Sequence, residues 1–162
     1  MEHSPEHPSV PLIARILQER DWTLAVAESC TGGRLGDRIT NVPGASKYFE
    51  GGVIAYSYEA KVKVLDVQWP TLKQHGAVSR EVALEMARGA RKALAADVGV
   101  SITGIAGPSG GMPEKPVGLT WIGLSAPGHE EAQKFIWSGD RLENKEESIQ
   151  AALDLLINYL SK

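Results

Sequence analysis

TLAVAESCTGGRLGDRITNV, residues 23–42, decides the fold class. Its first five residues, Thr23 to Ala27, form a short apolar run with strand preference, and the run stops at a serine, a cysteine, a threonine and two glycines. From Arg34 to Val42, the residues Leu35, Ile39 and Val42 recur at helical spacing. The stretch therefore reads strand, loop, helix.

Upstream, Val10, Leu12, Ile13, Ile16 and Leu17 mark a helix with Pro11 acceptably near its start. Residues 1–9 are expected to be a flexible N-terminus, and residues 10–162 a single domain. Downstream, NVPGASK (41–47) holds a turn, and Tyr48 to Tyr58 reads as a β segment whose Gly51 and Gly52 suggest a bulge or a close backbone approach. Glu59 to Leu65 is expected as a short helix. Ser79 offers an N-cap to a helix running to about Ala96, and Val98 to Ile105 is a buried kind of strand. Ala106 to Pro116 is too rich in Gly and Pro to be regular and reads as a long loop. Strands are expected at Val117–Ser125 and Ala132–Trp137, followed by an amphipathic helix from Leu142 to Leu160. The sum is an α/β protein with three layers, α/β/α, on a mixed, mostly five-stranded sheet. Its last three strands are antiparallel neighbours, and the earlier ones need crossovers.

Composition narrows the function classes. The 162 residues carry 43% hydrophobic and 23% charged residues, with a net charge of −3, so no basic excess argues for nucleic acid. No stretch has 18 continuous apolar residues and the first ten residues lack an apolar signal core, so no membrane association is expected and a cytoplasmic location is the default. Cys30 is the one cysteine, which excludes an intrachain disulfide. His3, His7, His75 and His129 do not cluster with other ligands, and no metal site is expected.

Three polar or glycine-rich loops each follow an expected strand: SCTGG, YSYEAK and GIAGPSGG. Loops at strand ends are where α/β folds place ligands. SCTGG also opens a helix, so its N–H groups suit an anion or a developing oxyanion; the plainer alternative is a helix cap by Ser29 or Thr31. Neither a G-x-G-x-x-G fingerprint, nor a P-loop lysine motif, nor a G-x-S-x-G elbow is present. A serine nucleophile needs a base, and histidine is poorly supplied, which leaves a lysine kept partly neutral by its surroundings. Lys61 and Lys63 both lie just after the second strand, and Lys61 is close enough in sequence to Tyr56 and Tyr58 for a tyrosine hydroxyl to sit beside its ammonium group.

Six ordered motifs carry a resemblance: AESCTGG (27–33), FEGGVIAYS (49–57) with Ala60 and Lys61, HGAVS (75–79), GIAGP (104–108), EKPVG (114–118) and SGDR (138–141). From about Pro11 onward the chain resembles the CinA C-terminal domain family. That resemblance implies a nicotinamide mononucleotide (NMN) deamidase of pyridine-nucleotide salvage, which hydrolyses a carboxamide to a carboxylate and ammonia without a cofactor. Larger members carry an N-terminal pyrophosphatase domain, so this chain looks like the single-domain form.

The resemblance implies Ser29 as nucleophile, Lys61 as base and Tyr56 as an orienting or relaying group. Thr31, Gly32 and Gly33 would hold the oxyanion through backbone N–H groups. Thr103, Gly104, Ala106 and Gly107 would approach the nucleotide, and Arg141 would pair with its phosphate. Two positions depart from the family pattern. Lys145 stands where a second arginine is common, which keeps the charge but loses the bidentate fork, and Tyr58 replaces the asparagine of a Tyr-Ser-Asn triplet. A homo-oligomer is expected. Two other readings stay open: a nucleotide- or partner-binding module without turnover, linked to competence or DNA damage, and a Cys30 nucleophile with Ser29 structural.

Overall fold

The computed structural model describes residues 8–162; His3 and His7, and most of the expected flexible N-terminus, lie outside them. The elements are α1 (Ser9–Glu19), β1 (Leu24–Glu28), α2 (Arg34–Thr40), β2 (Phe49–Ile54), α3 (Tyr58–Leu65), α4 (Trp69–His75), α5 (Arg80–Leu94), β3 (Val98–Gly104), β4 (Leu119–Ala126), β5 (His129–Ile136) and α6 (Arg141–Leu160), with a single 3-10 turn at Ala45–Lys47. Ser9 already belongs to the first helix, whose buried face is Val10, Ile13, Ala14 and Leu17.

The five strands form one mixed sheet in the order β2-β1-β3-β4-β5. β1 is parallel to both β2 and β3, and β3, β4 and β5 are successively antiparallel. The expected class, mixed α/β with three layers, is the observed one. Side chains alternate across β1 as strand geometry requires. Leu24 and Val26 point into a core shared with α1, α2 and α6, whereas Ala25 and Ala27 face α3, α4 and α5. The second face is built of small residues, so α5 lies close to the sheet. A Cβ on Gly99 would stand 2.2 Å from the Ala87 carbonyl oxygen, and one on Gly123 would stand 2.4 Å from that of Ala83.

Boundaries moved where turn chemistry overrode the apolar pattern. The expected β segment 48–58 ends at Ile54, because Ser57 caps α3 by accepting from the Ala60 N–H. The bulge falls where the two glycines suggested it: Leu24 pairs with Phe49 but Ala25 with Gly51, leaving Glu50 extra. Helix α4 was not read from sequence; its seven residues, WPTLKQH, bury only Leu72, too little for a periodic signal. β5 starts at His129 rather than Ala132, since Pro127 and Gly128, the latter at φ +69°, form a tight turn from β4.

This topology gathers chemistry at one edge. The carboxyl ends of β1, β2 and β3 lie together, and the antiparallel β4 and β5 bring the loop before β4 and the start of α6 to the same edge.

Candidate active site

Ser29 directly follows β1, and its N–H donates to the Ile102 carbonyl of β3 at 3.1 Å. The turn that follows puts Gly32 at φ +61° and Gly33 at φ +105°, conformations that a residue with a Cβ adopts only at a cost. Lys61 lies in the first turn of α3. Helical side chains lean toward their own N-terminus, so its stem runs back under the Ser57 cap toward the strand ends. Its side chain is 1% exposed, whereas Lys63 on the same helix is exposed.

The Lys61 Nζ has three oxygen partners: Ser29 Oγ at 2.9 Å, the Ala55 carbonyl at 2.9 Å and the Tyr56 carbonyl at 3.2 Å. Burial pushes its pKa down from the ordinary lysine value to about 8. A neutral amine has two N–H donors and one lone pair. The carbonyls can only accept, so they take both N–H groups, and the lone pair is left facing the Ser29 hydroxyl, which then donates to it. Burial thus makes the neutral form of Lys61 more accessible than in an ordinary lysine, and the two carbonyls fix the direction in which that form would accept a proton.

Tyr56 plays a different part from the one expected. Its carbonyl, not its hydroxyl, meets Lys61; the side chain is 62% exposed and its hydroxyl accepts from Arg141 at 3.3 Å. Arg141 also donates to the Gly107 carbonyl at 2.7 Å, joining the β3–β4 loop to the rim of the site. Thr103 does not face a ligand: it is 1% exposed and its hydroxyl donates to the Ala77 carbonyl at 2.8 Å. Gly104 makes room for the sheet, since a Cβ there would stand 2.6 Å from Thr120 Oγ1. Ala106 and Arg141 line a hollow of about 460 Å³ together with Pro108, Val117, Gly139 and Leu142.

Around SCTGG the expected donors divide. The Thr31 hydroxyl is fully buried and donates to Glu28 at 2.6 Å, so it does not line the site. The Gly32 N–H is engaged by the Ser29 carbonyl at 3.2 Å, whereas the Thr31 and Gly33 N–H groups have no acceptor among the described residues. The first N–H groups of α2 are not open to a ligand either: those of Leu35 and Gly36 donate to the Glu28 carboxylate at 2.9 and 3.1 Å. Sequence reading passed over Glu28 as the last residue of a strand, although an acid ending the otherwise apolar LAVAE was a signal. Asn144 was missed as well. It is 2% exposed, donates to the Ala106 carbonyl and accepts from the Gly139 N–H, each at 3.0 Å, and so pins the β3–β4 loop to the start of α6.

Burial pushes the Cys30 thiol up to about 11, against the lowering effect of Lys145, Lys61 and Arg141. A thiol held protonated in the core is a poor nucleophile, and Ser29, not Cys30, is the group hydrogen-bonded to the Lys61 amine. The same three cations mark the SCTGG turn as positive, with Lys145 Nζ 3.9 Å from where a Gly32 Cβ would stand. Among the described residues, no group of three His, Cys, Asp or Glu side chains could hold a metal ion, and no helix is long and apolar enough to cross a membrane.

With the Ser29–Lys61 pair set at the strand ends, the relatives become informative. The family model of the CinA C-terminal domain matches residues 7–160. This chain belongs to the CinA C-terminal domain family. A competence-damage inducible protein, as it is named, from Caldanaerobacter subterraneus subsp. tengcongensis is 52% identical over 149 residues, which are 92% of this chain and 36% of that protein. The chain therefore spans about a third of the length of the curated relatives it matches. A CinA superfamily protein from Klebsiella pneumoniae superposes with a TM-score of 0.92 at 34% identity, covering 98% of this chain and 99% of that one. The competence/damage inducible protein CihA from Agrobacterium tumefaciens gives 0.89 at 34% identity, with both chains covered in full.

Proposed function

We propose that this CinA-family domain hydrolyses the carboxamide of NMN to nicotinic acid mononucleotide and ammonia, with Ser29 as nucleophile and Lys61 as base. The observation that carries the reading is the buried Lys61 Nζ 2.9 Å from Ser29 Oγ, with the Ala55 and Tyr56 carbonyls at 2.9 and 3.2 Å to accept its N–H groups. Ser29 Oγ attacks the carboxamide carbon while its proton passes to Lys61 Nζ. Lys61 then delivers that proton to the departing nitrogen, ammonia leaves, and an acyl-Ser29 ester remains. Water, deprotonated by the again neutral Lys61, opens the ester, and the proton returns to Ser29 Oγ. The half-buried Gly33 N–H, which has no acceptor among the described residues, stabilises the oxyanion of each step. Arg141 and Lys145 hold the phosphate, a role their charge and position support. Ala106 and Gly107 border the nucleotide.

The test is ammonia release from NMN by the wild type beside Ser29→Ala and Lys61→Ala. Turnover by the wild type and its loss in both variants is expected. A wild type that binds NMN without releasing ammonia would instead make the domain a nucleotide-binding module.

A further inference from the structure

Glu28 is the last residue of β1, next to the nucleophile, and is 2% exposed. Its carboxylate accepts three hydrogen bonds, all from neutral donors: the Thr31 hydroxyl and the Leu35 N–H on one oxygen, the Gly36 N–H on the other. The Gly33 cap of α2 offers no side-chain acceptor, so Glu28 performs that function from the preceding strand. It spans the SCTGG turn from beneath. One end of the turn is tied to β3 by Ser29, the other to Glu28 through Thr31 and the first turn of α2.

We propose that Glu28 is a positioning residue for the oxyanion site: by holding the Thr31 hydroxyl and the first N–H groups of α2, it keeps the half-buried Gly33 N–H turned toward the carbonyl oxygen under attack. The proposal rests on Ser29 acting as nucleophile, but not on NMN being the substrate. A glutamine at position 28 has nearly the same shape but only one acceptor oxygen. Its NH2 group meets one of the three donors head-on, and the turn loses an anchor while the Ser29–Lys61 hydrogen bond, in which the Glu28 carboxylate takes no part, is retained. Donors displaced from the oxyanion reduce the rate of attack and leave substrate affinity largely unchanged.

The test uses a fluorophosphonate probe, whose capture by serine needs the same oxyanion donors, with the modified residue mapped by mass spectrometry. Glu28→Gln is expected to slow labelling of Ser29 at least tenfold per folded molecule. If NMN is the substrate, kcat falls in parallel and KM stays within about threefold. The pH midpoint of labelling stays at the wild-type value, because Lys61 keeps its partners. Thr31→Val removes one of the three anchors and is expected to slow labelling severalfold, with Thr31→Ser restoring it; this pair decides the matter should Glu28→Gln fail to fold. Labelling at the wild-type rate, or a pH midpoint displaced by more than half a unit, overturns the proposal. A wild type labelled at Ser29 that releases no ammonia from NMN overturns the substrate reading alone, and one that is not labelled at Ser29 overturns the nucleophile and this proposal with it.

Discussion

The pH dependence of turnover should follow the protonation of Lys61. With its pKa near 8, the neutral fraction is about one tenth at pH 7, one half at pH 8 and nine tenths at pH 9. The kcat/KM for NMN should therefore rise about tenfold between pH 7 and 9 and then level off. A lysine at its ordinary value would give about a hundredfold rise over the same interval with no plateau. Initial rates read by chromatographic separation of the carboxylate product, in buffers of constant ionic strength from pH 6 to 10, distinguish the two curves. Arginine does not deprotonate in this range, so Lys61→Arg should be inactive throughout. An inflection below pH 6.5 would indicate a histidine or carboxylate base, and an unbroken rise through pH 10 would indicate a lysine that burial does not perturb. Either refutes the reasoning.

The same shift bears on stability. A lysine whose folded pKa lies below its unfolded value binds fewer protons in the native state between about pH 8 and 10.5, so stability rises with pH across that window. Carrying the buried ammonium at neutral pH costs about 3 kcal/mol. Urea unfolding of the wild type beside Lys61→Met should therefore show the difference moving in the wild type's favour by about that amount from pH 7 to 10; a constant difference would contradict it. Tyr56→Phe removes an exposed hydroxyl held by Arg141 but not the carbonyl that holds Lys61. It should keep kcat within about threefold and raise KM by no more than about tenfold, the worth of one hydrogen bond. Iodoacetamide should leave activity intact at pH 7.5 over an hour, since the Cys30 thiol is buried and protonated; rapid inactivation with alkylated Cys30 would reopen the cysteine reading.

Much of the fold was legible because strand and helix periods are local. TLAVA, VGVSITGI and the heptad-like run of α6 carry their pattern in their own residues, and the Gly51–Gly52 pair announced its bulge. What failed was of two kinds. Short elements such as α4 bury too few side chains to show a period, and tight turns such as Pro127–Gly128 let the flanking strands pair right up to the turn, through polar residues that carry no apolar signal. Among the candidate site residues, the structure brings Ser29 and Lys61 together and puts Arg141 and Lys145 in the first turns of α6, whereas burial encloses Thr31, the Thr103 hydroxyl is taken by the Ala77 carbonyl, and the Tyr56 hydroxyl turns to Arg141 instead of Lys61.

By itself, then, the sequence determined the layers, the loops that meet at one edge of the sheet and the family. It listed two lysines after β2 and three side chains at SCTGG capable of nucleophilic or hydrogen-bonding roles. Only the tertiary structure sets their surroundings apart, and nucleophilicity and basicity depend on surroundings. Lys61 differs from Lys63 in being enclosed, and Ser29 differs from Cys30 in facing that amine rather than the core. Burial and direction depend on contacts between β1, the β2–α3 turn and α6, which lie far apart in the chain and meet only when the sheet has formed.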